Sequence, residues 1–297
     1  AHLEAGPDVP AAPPLVFIHG WIGDHRALLP QIAHFARTRR VIAVNLRGHG
    51  DSDAPKQDYT IDGFADDVAW QCNQLGLSQP LVVGHSLGGM IALELAGRHP
   101  DLPSGVVMID TIIFPPPAAL EPARQLAEQI AGPDYFGAAR SSALDMCMDY
   151  VDPADPKRKD RLIEQICAAH RKTPQHVAVS ALLNLLSGYD SAPAAQACTA
   201  PVAYLSAATP LVEMARDLDR LRALCPQLVI AKTLGAGHFS PLEVPDQVNA
   251  MIARFMAVGL ARPRTTAGVS EGAPRTAGGT PRSTRPSRPI AAEPPRL

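Results

Sequence analysis

The chain is predicted to be an α/β protein: a mostly parallel sheet with helices on both faces and one inserted helical lid. Three observations predict it. Short apolar runs alternate with stripes of helical period. One long, purely helical stretch interrupts that alternation, which then resumes. Finally, 297 residues with 46% hydrophobic and 19% charged content suffice for one sizeable core.

Leu15–Ile18 and Val41–Val44 are short apolar runs ending at Gly- or Asn-containing turns, as buried parallel strands do. Between them Leu28, Leu29, Ile32 and Phe35 recur at helical spacing. Phe64, Val68, Cys72 and Leu75 form a second stripe, leading to a strand at Leu81–Val83. A helix from Met90 to His99, stopped by Pro100, precedes a strand at Val106–Ile109. From Pro115 to about Ala200 the pattern is helical only, broken at Gly-Pro, Asp-Pro and Thr-Pro steps. Strand Val202–Ser206, helix Met214–Leu224, strand Leu228–Ala231 and helix Val248–Met256 complete the alternation. The expected organisation is therefore a core from 1–114 and 201–260, a lid from 115–200, and a tail from 261–297. Ligands bind at the carboxyl ends of such strands, where a lid would close over them.

The tail from Ala261 is rich in Pro, Gly, Ser, Thr and Arg and has too few large apolar residues to bury a core, so disorder is expected. Its seven Arg and two Glu give +5, against −7 for the rest, for a net −2. That balance argues against a dedicated nucleic-acid binder. No apolar run approaches the ~20 residues of a membrane span, so no membrane association is expected. The opening AHLEAGPDVP has neither a basic stretch nor an apolar core and is not read as a secretory signal; its first residue, Ala rather than Met, is compatible with a leader having been removed. Cys72, Cys147, Cys167, Cys198 and Cys225 are odd in number, scattered and free of any CxxC or Cys/His cluster. They read as buried apolar residues in a reducing compartment, which points to the cytoplasm, and no metal or organic cofactor is called for.

Gly84-His85-Ser86-Leu87-Gly88 follows the apolar strand and precedes a helical run, the strand–turn–helix setting that G-x-S-x-G requires. Side chains two positions either side of the serine would strike neighbouring backbone, and the helix N-terminus points free N–H groups at the reaction centre. The alternative is a Gly-rich turn with an idle serine. A serine needs a base, and among ten histidines His238 stands out, on the flexible loop Gly235-Ala236-Gly237 after the last strand. His19, His49 and His85 read as turn residues beside glycines. An oxyanion hole would take the N–H of Leu87 and that of Trp21, each worth roughly 3 kcal/mol in the transition state. The Trp21 ring either lines the pocket or simply packs.

Leu15–Trp21, the run Asn45-Leu46-Arg47-Gly48-His49-Gly50-Asp51-Ser52, the Ser86 elbow and Gly235–His238 together resemble the α/β-hydrolase superfamily. The resemblance covers Leu15 to about Gly259 and implies the fold more narrowly than the substrate. Members usually begin with a strand hairpin, for which only fourteen residues are present here. They often carry the triad acid just after the strand corresponding to Val202–Ser206, where this chain has Ala207-Ala208-Thr209-Pro210. A recognised variation puts the acid one strand earlier, at Asp110, where it would hold the His238 tautomer; an Asp there can also simply bond loop amides. Glu213 is the next candidate and Asp217 the one after.

The function implied is hydrolysis of a small or medium, moderately apolar ester or lactone by Ser86, His238 and Asp110 through an acyl-enzyme. A C–C bond hydrolase or an acyltransferase would use the same residues. Gly20–Arg26, Asn45–Gly50 and Val244-Pro245-Asp246 are also similar to segments of cofactor-free dioxygenases acting on hydroxyquinolones. Those enzymes tend to carry a histidine where this chain has Leu87. A receptor on this fold would usually have lost part of the set, and a haloalkane dehalogenase would have Asp in place of Ser86.

Overall fold

In the computed structural model, residues 1–9, 12–147, 155–187 and 189–260 are described. The expected tail from 261 lies outside them.

Seven strands form one sheet: β1 (His2–Ala5), β2 (Leu15–Ile18), β3 (Val41–Val44), β4 (Leu81–His85), β5 (Gly105–Ile109), β6 (Val202–Ser206) and β7 (Leu228–Lys232). Their spatial order is β1-β3-β2-β4-β5-β6-β7. β1 runs antiparallel to β3 and every other pairing is parallel. The first residues thus supply one antiparallel edge strand rather than a hairpin.

Burial on both sides explains the unbroken apolar runs. Val16, Ile18, Val82, Met108 and Tyr204 face one cluster, shared with Phe64, Val68 and Met90. Leu15, Phe17, Val83, Val107 and Leu205 face the other, shared with Ile32, Phe35, Val248 and Phe255. The period of two within each strand selects the face, and the covering helices follow the chain. The first cluster takes α2 (Ile61–Gln74) and α3 (Leu87–Arg98); the second takes α1 (Leu29–Phe35) and, at the far end of the chain, α12 (Pro245–Val258).

Between β5 and β6 come α4 (Pro117–Ala131), α5 (Tyr135–Met146), α6 (Arg158–His170), α7 (Gln175–Ser187) and α8 (Ala192–Ala197). Where one helix is expected over Met214–Leu224 there are two: α9 (Pro210–Met214) and α10 (Leu218–Leu224). The break has a local cause. Asp217 accepts from Arg220 N as the N-cap of α10, and Arg216 forms an isolated parallel bridge with Ile113. A short α11 (Ser240–Glu243) precedes α12. All five cysteines are buried thiols, and none of them forms a disulfide.

The register prepares the site. Gly84 of β4 lies opposite Ile18 of β2 and Met108 of β5, and Ile109 lies opposite Leu205. The residues just beyond these strands (His19, Ser86, Asp110 and Ala207) therefore leave the sheet side by side at its carboxyl edge.

Candidate active site

Ser86 is placed by its backbone. It sits between β4 and α3 with φ 55° and ψ −120°, a conformation costing an L-residue about 1–3 kcal/mol. Its amide bonds to Ile109 O at 2.8 Å, and Ser86 O accepts from Gly89 N at 2.9 Å. The turn is tight enough that a methyl on Gly84 would lie 2.0 Å from Gly88 O. The β2 loop crosses just above, since a methyl on Gly20 would come within 3.1 Å of Ser86 Cβ. Among the described residues neither the Trp21 nor the Leu87 amide has a hydrogen-bond partner. The Trp21 indole donates to Ala178 O of α7 at 2.9 Å, so its ring both lines the cavity and ties the core to the inserted helices.

Asp110 also has positive φ, 44°, and is fully buried. Four donors meet its carboxylate. His238 Nδ1 reaches Oδ2 at 2.8 Å and Thr209 Oγ1 reaches the same oxygen at 2.9 Å. Oδ1 accepts from Ala207 N at 2.9 Å and from Arg216 Nη1 at 3.3 Å. Burial pushes this carboxyl up, but the bond and charge of His238, the Ala207 amide and the Thr209 hydroxyl together outweigh it and hold Asp110 below its ordinary value. A carboxylate there can only accept, so the His238 proton is on Nδ1 and the Nε2 lone pair is left to the cavity.

His238 is 5% exposed and held through its backbone as well. Its amide donates to Met146 O at the end of α5 (2.9 Å), and its carbonyl accepts from His85 Nε2 (2.7 Å). The amides either side of it, Gly237 N and Phe239 N, donate to Glu243 Oε2 (2.8 Å) and Oε1 (3.0 Å). Arg158 of α6 donates to the Glu243 carbonyl at 2.5 Å. The loop of His238 is thus clamped from below by α11 and from above by the inserted helices.

His85 differs from its reading as a turn residue. It ends β4, is 3% exposed, and is pulled down to about 3 by burial and then by the neighbouring His238. His19 is likewise buried, its Nε2 accepting from Leu46 N at 3.1 Å, and His49 is wholly enclosed. The other candidate acids lie apart from His238. Glu213 bonds Arg216 and Lys232 at a 42% exposed side chain, and Asp217 caps α10.

Ser86, His238, Gly20, Trp21 and Thr209 share one cavity of about 440 Å³. Its walls are chiefly apolar, with Ile112, Leu126, Ile166, Leu182 and Val212 among them, while Gln125, Gln129 and Gln165 stand at more exposed positions. Arg26 is its cation among the described residues, and its Nη1 lies on the buried Asp24 carboxylate at 2.5 Å. No group of three or more His, Cys, Asp or Glu is arranged to hold a metal ion among the described residues. Nor is any described helix long and apolar enough to cross a membrane.

Thr209, Arg216, Glu243 and the His85 ring were not singled out by sequence. Only Thr209 had a signal, since Ala-Ala-Thr-Pro occupies the turn where an acid is usual.

A family model described as the alpha/beta hydrolase fold matches residues 13–245. The chain is 27% identical over 250 residues to the 2-(acetamidomethylene)succinate hydrolase of Mesorhizobium japonicum, covering 83% of this chain and 88% of that protein. A thermophilic esterase from Thermogutta terrifontis superposes with a TM-score of 0.73 at 25% identity, over 86% of this chain and 92% of that one. The enol-lactonase from Burkholderia xenovorans LB400 shares the fold, with a TM-score of 0.72 at 22% identity over 86% and 96% of the two chains.

Proposed function

The chain belongs to the α/β-hydrolase family, and from that membership we propose that it is a serine hydrolase of carboxylic esters or lactones, with Ser86 as nucleophile, His238 as base and Asp110 as acid. One observation carries this reading. The buried Asp110 carboxylate accepts a hydrogen bond from His238 Nδ1 at 2.8 Å, which leaves Nε2 without a proton beside the cavity that His238 and Ser86 both line.

The chemistry follows from that tautomer. As Ser86 Oγ attacks the carbonyl carbon, its proton passes to His238 Nε2, and Asp110 stabilises the imidazolium. Negative charge gathers on the carbonyl oxygen, where the Trp21 and Leu87 amides donate to it. The C–O bond to the leaving group then breaks and the alkoxide takes the proton from Nε2, leaving an acyl-Ser86. Water, deprotonated by the same nitrogen, attacks the acyl carbon; the bond to Ser86 Oγ breaks, Oγ takes the proton back from Nε2, and the acid is released. In a lactone the leaving alkoxide is part of the acyl chain, so the ring opens.

The strained backbone at Ser86 supports the nucleophile role, because strain of this kind collects at functional sites and Ser86 lines the cavity. A cavity of about 440 Å³ with mostly apolar walls suits a small or medium acyl group. The helices α4–α8 act in this reading as the lid over it.

Hydrolysis of short p-nitrophenyl esters by wild type and Ser86→Ala tests the proposal, with oxygen uptake on a hydroxyquinolone measured alongside. Turnover that disappears in Ser86→Ala is the expected result. Turnover that persists there sinks the nucleophile assignment. No ester turnover, with oxygen uptake surviving Ser86→Ala, replaces the hydrolase with a dioxygenase.

A further inference from the structure

Arg216 lies on the short stretch between α9 and α10, against the side of Asp110 that His238 does not use. Its Nη1 donates to Asp110 Oδ1 at 3.3 Å, its Nη2 donates to Glu213 Oε1 at 3.3 Å, and its Cζ is 5.8 Å from the centre of the Tyr204 ring. The side chain is 10% exposed. Its backbone is fastened to the segment that leaves Asp110: Arg216 bridges Ile113, Ile113 N donates to Ala215 O at 3.1 Å, and Asp217 N donates to Ile113 O at 2.9 Å. A guanidinium held by a ring face and two carboxylates, on a backbone that is itself fastened, is a fixed charge, unlike a surface ion pair.

Its place has a consequence for the base. A carboxylate stabilises an imidazolium in proportion to its unbalanced negative charge, and a cation on its other oxygen balances part of that charge. A base that holds its proton too firmly is slow to return it to a leaving group. We propose that Arg216 is a positioning residue of the Asp110–His238 pair, which fixes the carboxylate through Oδ1 and offsets its charge so that His238 passes its proton on. The catalytic meaning rests on the serine-hydrolase reading; the electrostatic effect on the ring does not. Arg216 is absent from the cavity wall, so it acts through Asp110 and not on substrate.

Other polar and charged groups surround the pair, and two of them, Glu213 and Tyr204, also contact Arg216. They are the His85 ring of β4, the Tyr204 hydroxyl of β6 (bonded to Thr111 O), the Thr209 hydroxyl, Glu213 of α9, Lys232 of β7 at 2.9 Å from Glu213, and Glu243 of α11. Glu213 keeps Lys232 when Arg216 is neutralised, so the charge lost beside Asp110 is that of the guanidinium.

The test follows the His238 ring nitrogens by NMR against pH in the ligand-free protein, assigned by their loss in His238→Gln, together with the pH profile of kcat/KM on an ester. Arg216→Gln keeps hydrogen-bonding reach and Arg216→Met keeps packing over Tyr204; both remove the charge. Each is expected to raise the ring's midpoint by about half to one pH unit, with the acid limb of kcat/KM moving the same way and KM within about twofold. Arg216→Lys should stay near wild type. A midpoint that is unchanged or lowered in a folded neutral variant overturns the proposal, as does an equal rise in Arg216→Lys. If both neutral variants fail to fold while Arg216→Lys folds, Arg216 is a structural residue and the proposal is also wrong. The NMR readout needs no substrate, so a failed ester assay would count against the hydrolase reading and leave this result standing.

Discussion

Thr209 Oγ1 and His238 Nδ1 converge on the same oxygen of Asp110, at 2.9 and 2.8 Å, in a pocket where Thr209 is 1% exposed. The hydroxyl fixes the direction from which the ring must approach. Thr209→Val keeps the shape and removes that donor. A hydrogen bond to a charged group is worth about 1.5 kcal/mol, so kcat/KM should fall roughly tenfold while Thr209→Ser stays near wild type. Steady-state kinetics on one ester decides it; a Val variant as active as wild type would show the hydroxyl to be idle.

Asp110 and Glu213 make an informative pair. Asn at 110 can present its N–H₂ to the ring and favour the wrong tautomer, so Asp110→Asn should lower kcat by about three to four orders of magnitude. Glu213 lies partly exposed on Arg216 and Lys232, away from the ring, so Glu213→Gln should stay within about threefold. Circular dichroism must show both variants folded. A larger loss from Glu213→Gln would move the acid there.

The strain at Ser86 should be visible in stability. Glycine adopts φ 55° freely, so Ser86→Gly relieves about 1–3 kcal/mol and concedes roughly 0.5–1 kcal/mol of added chain entropy. A net gain of about 1 kcal/mol would raise Tm by about 2–4 °C. Calorimetry of the inactive variant checks this, and a lowered Tm would mean that the serine's contacts outweigh its strain.

His170, at the end of α6, is 6% exposed with Nδ1 unpartnered, and burial lowers it to about 4. The unfolded chain takes up a proton near pH 6.5, whereas the folded chain resists until about pH 4. Its contribution is therefore present above pH 6.5 and lost as pH falls through that window, a change of order 3 kcal/mol. His170→Leu should lose less stability than wild type between pH 7 and pH 4.5, as read by urea unfolding at both. Equal losses would show that the ring is solvated when folded.

Much of this architecture can be read along the chain, because burial on both faces leaves strands such as Leu15–Ile18 and Gly105–Ile109 with no polar side chain until they end. Ser86 and His238 are legible for a related reason: glycines surround each, and close backbone approach demands them locally. Asp110 needed the absence of a carboxylate at Ala207–Pro210 to become a candidate. Arg216 and Glu243 act through space, on partners far away in sequence or through backbone amides, and no periodicity marks such contacts. The break between α9 and α10 is hidden for the same reason, since it answers to Ile113 of another segment. β1, only four residues long and half exposed, carries too little pattern to stand out.

The bond from the His238 amide to Met146 O, joined by Arg158 on the Glu243 carbonyl, has a bearing on how this molecule can change. Substitutions of side chains along the wall, at Leu126 or Leu182 for example, can reshape the cavity while leaving the backbone of the histidine loop where it is. Exchanging α5 and α6 wholesale for those of a relative would shift the carbonyl from which that loop hangs. Specificity in this chain is therefore open to point-by-point drift but closed to transplantation, unless the graft reproduces the acceptor at position 146.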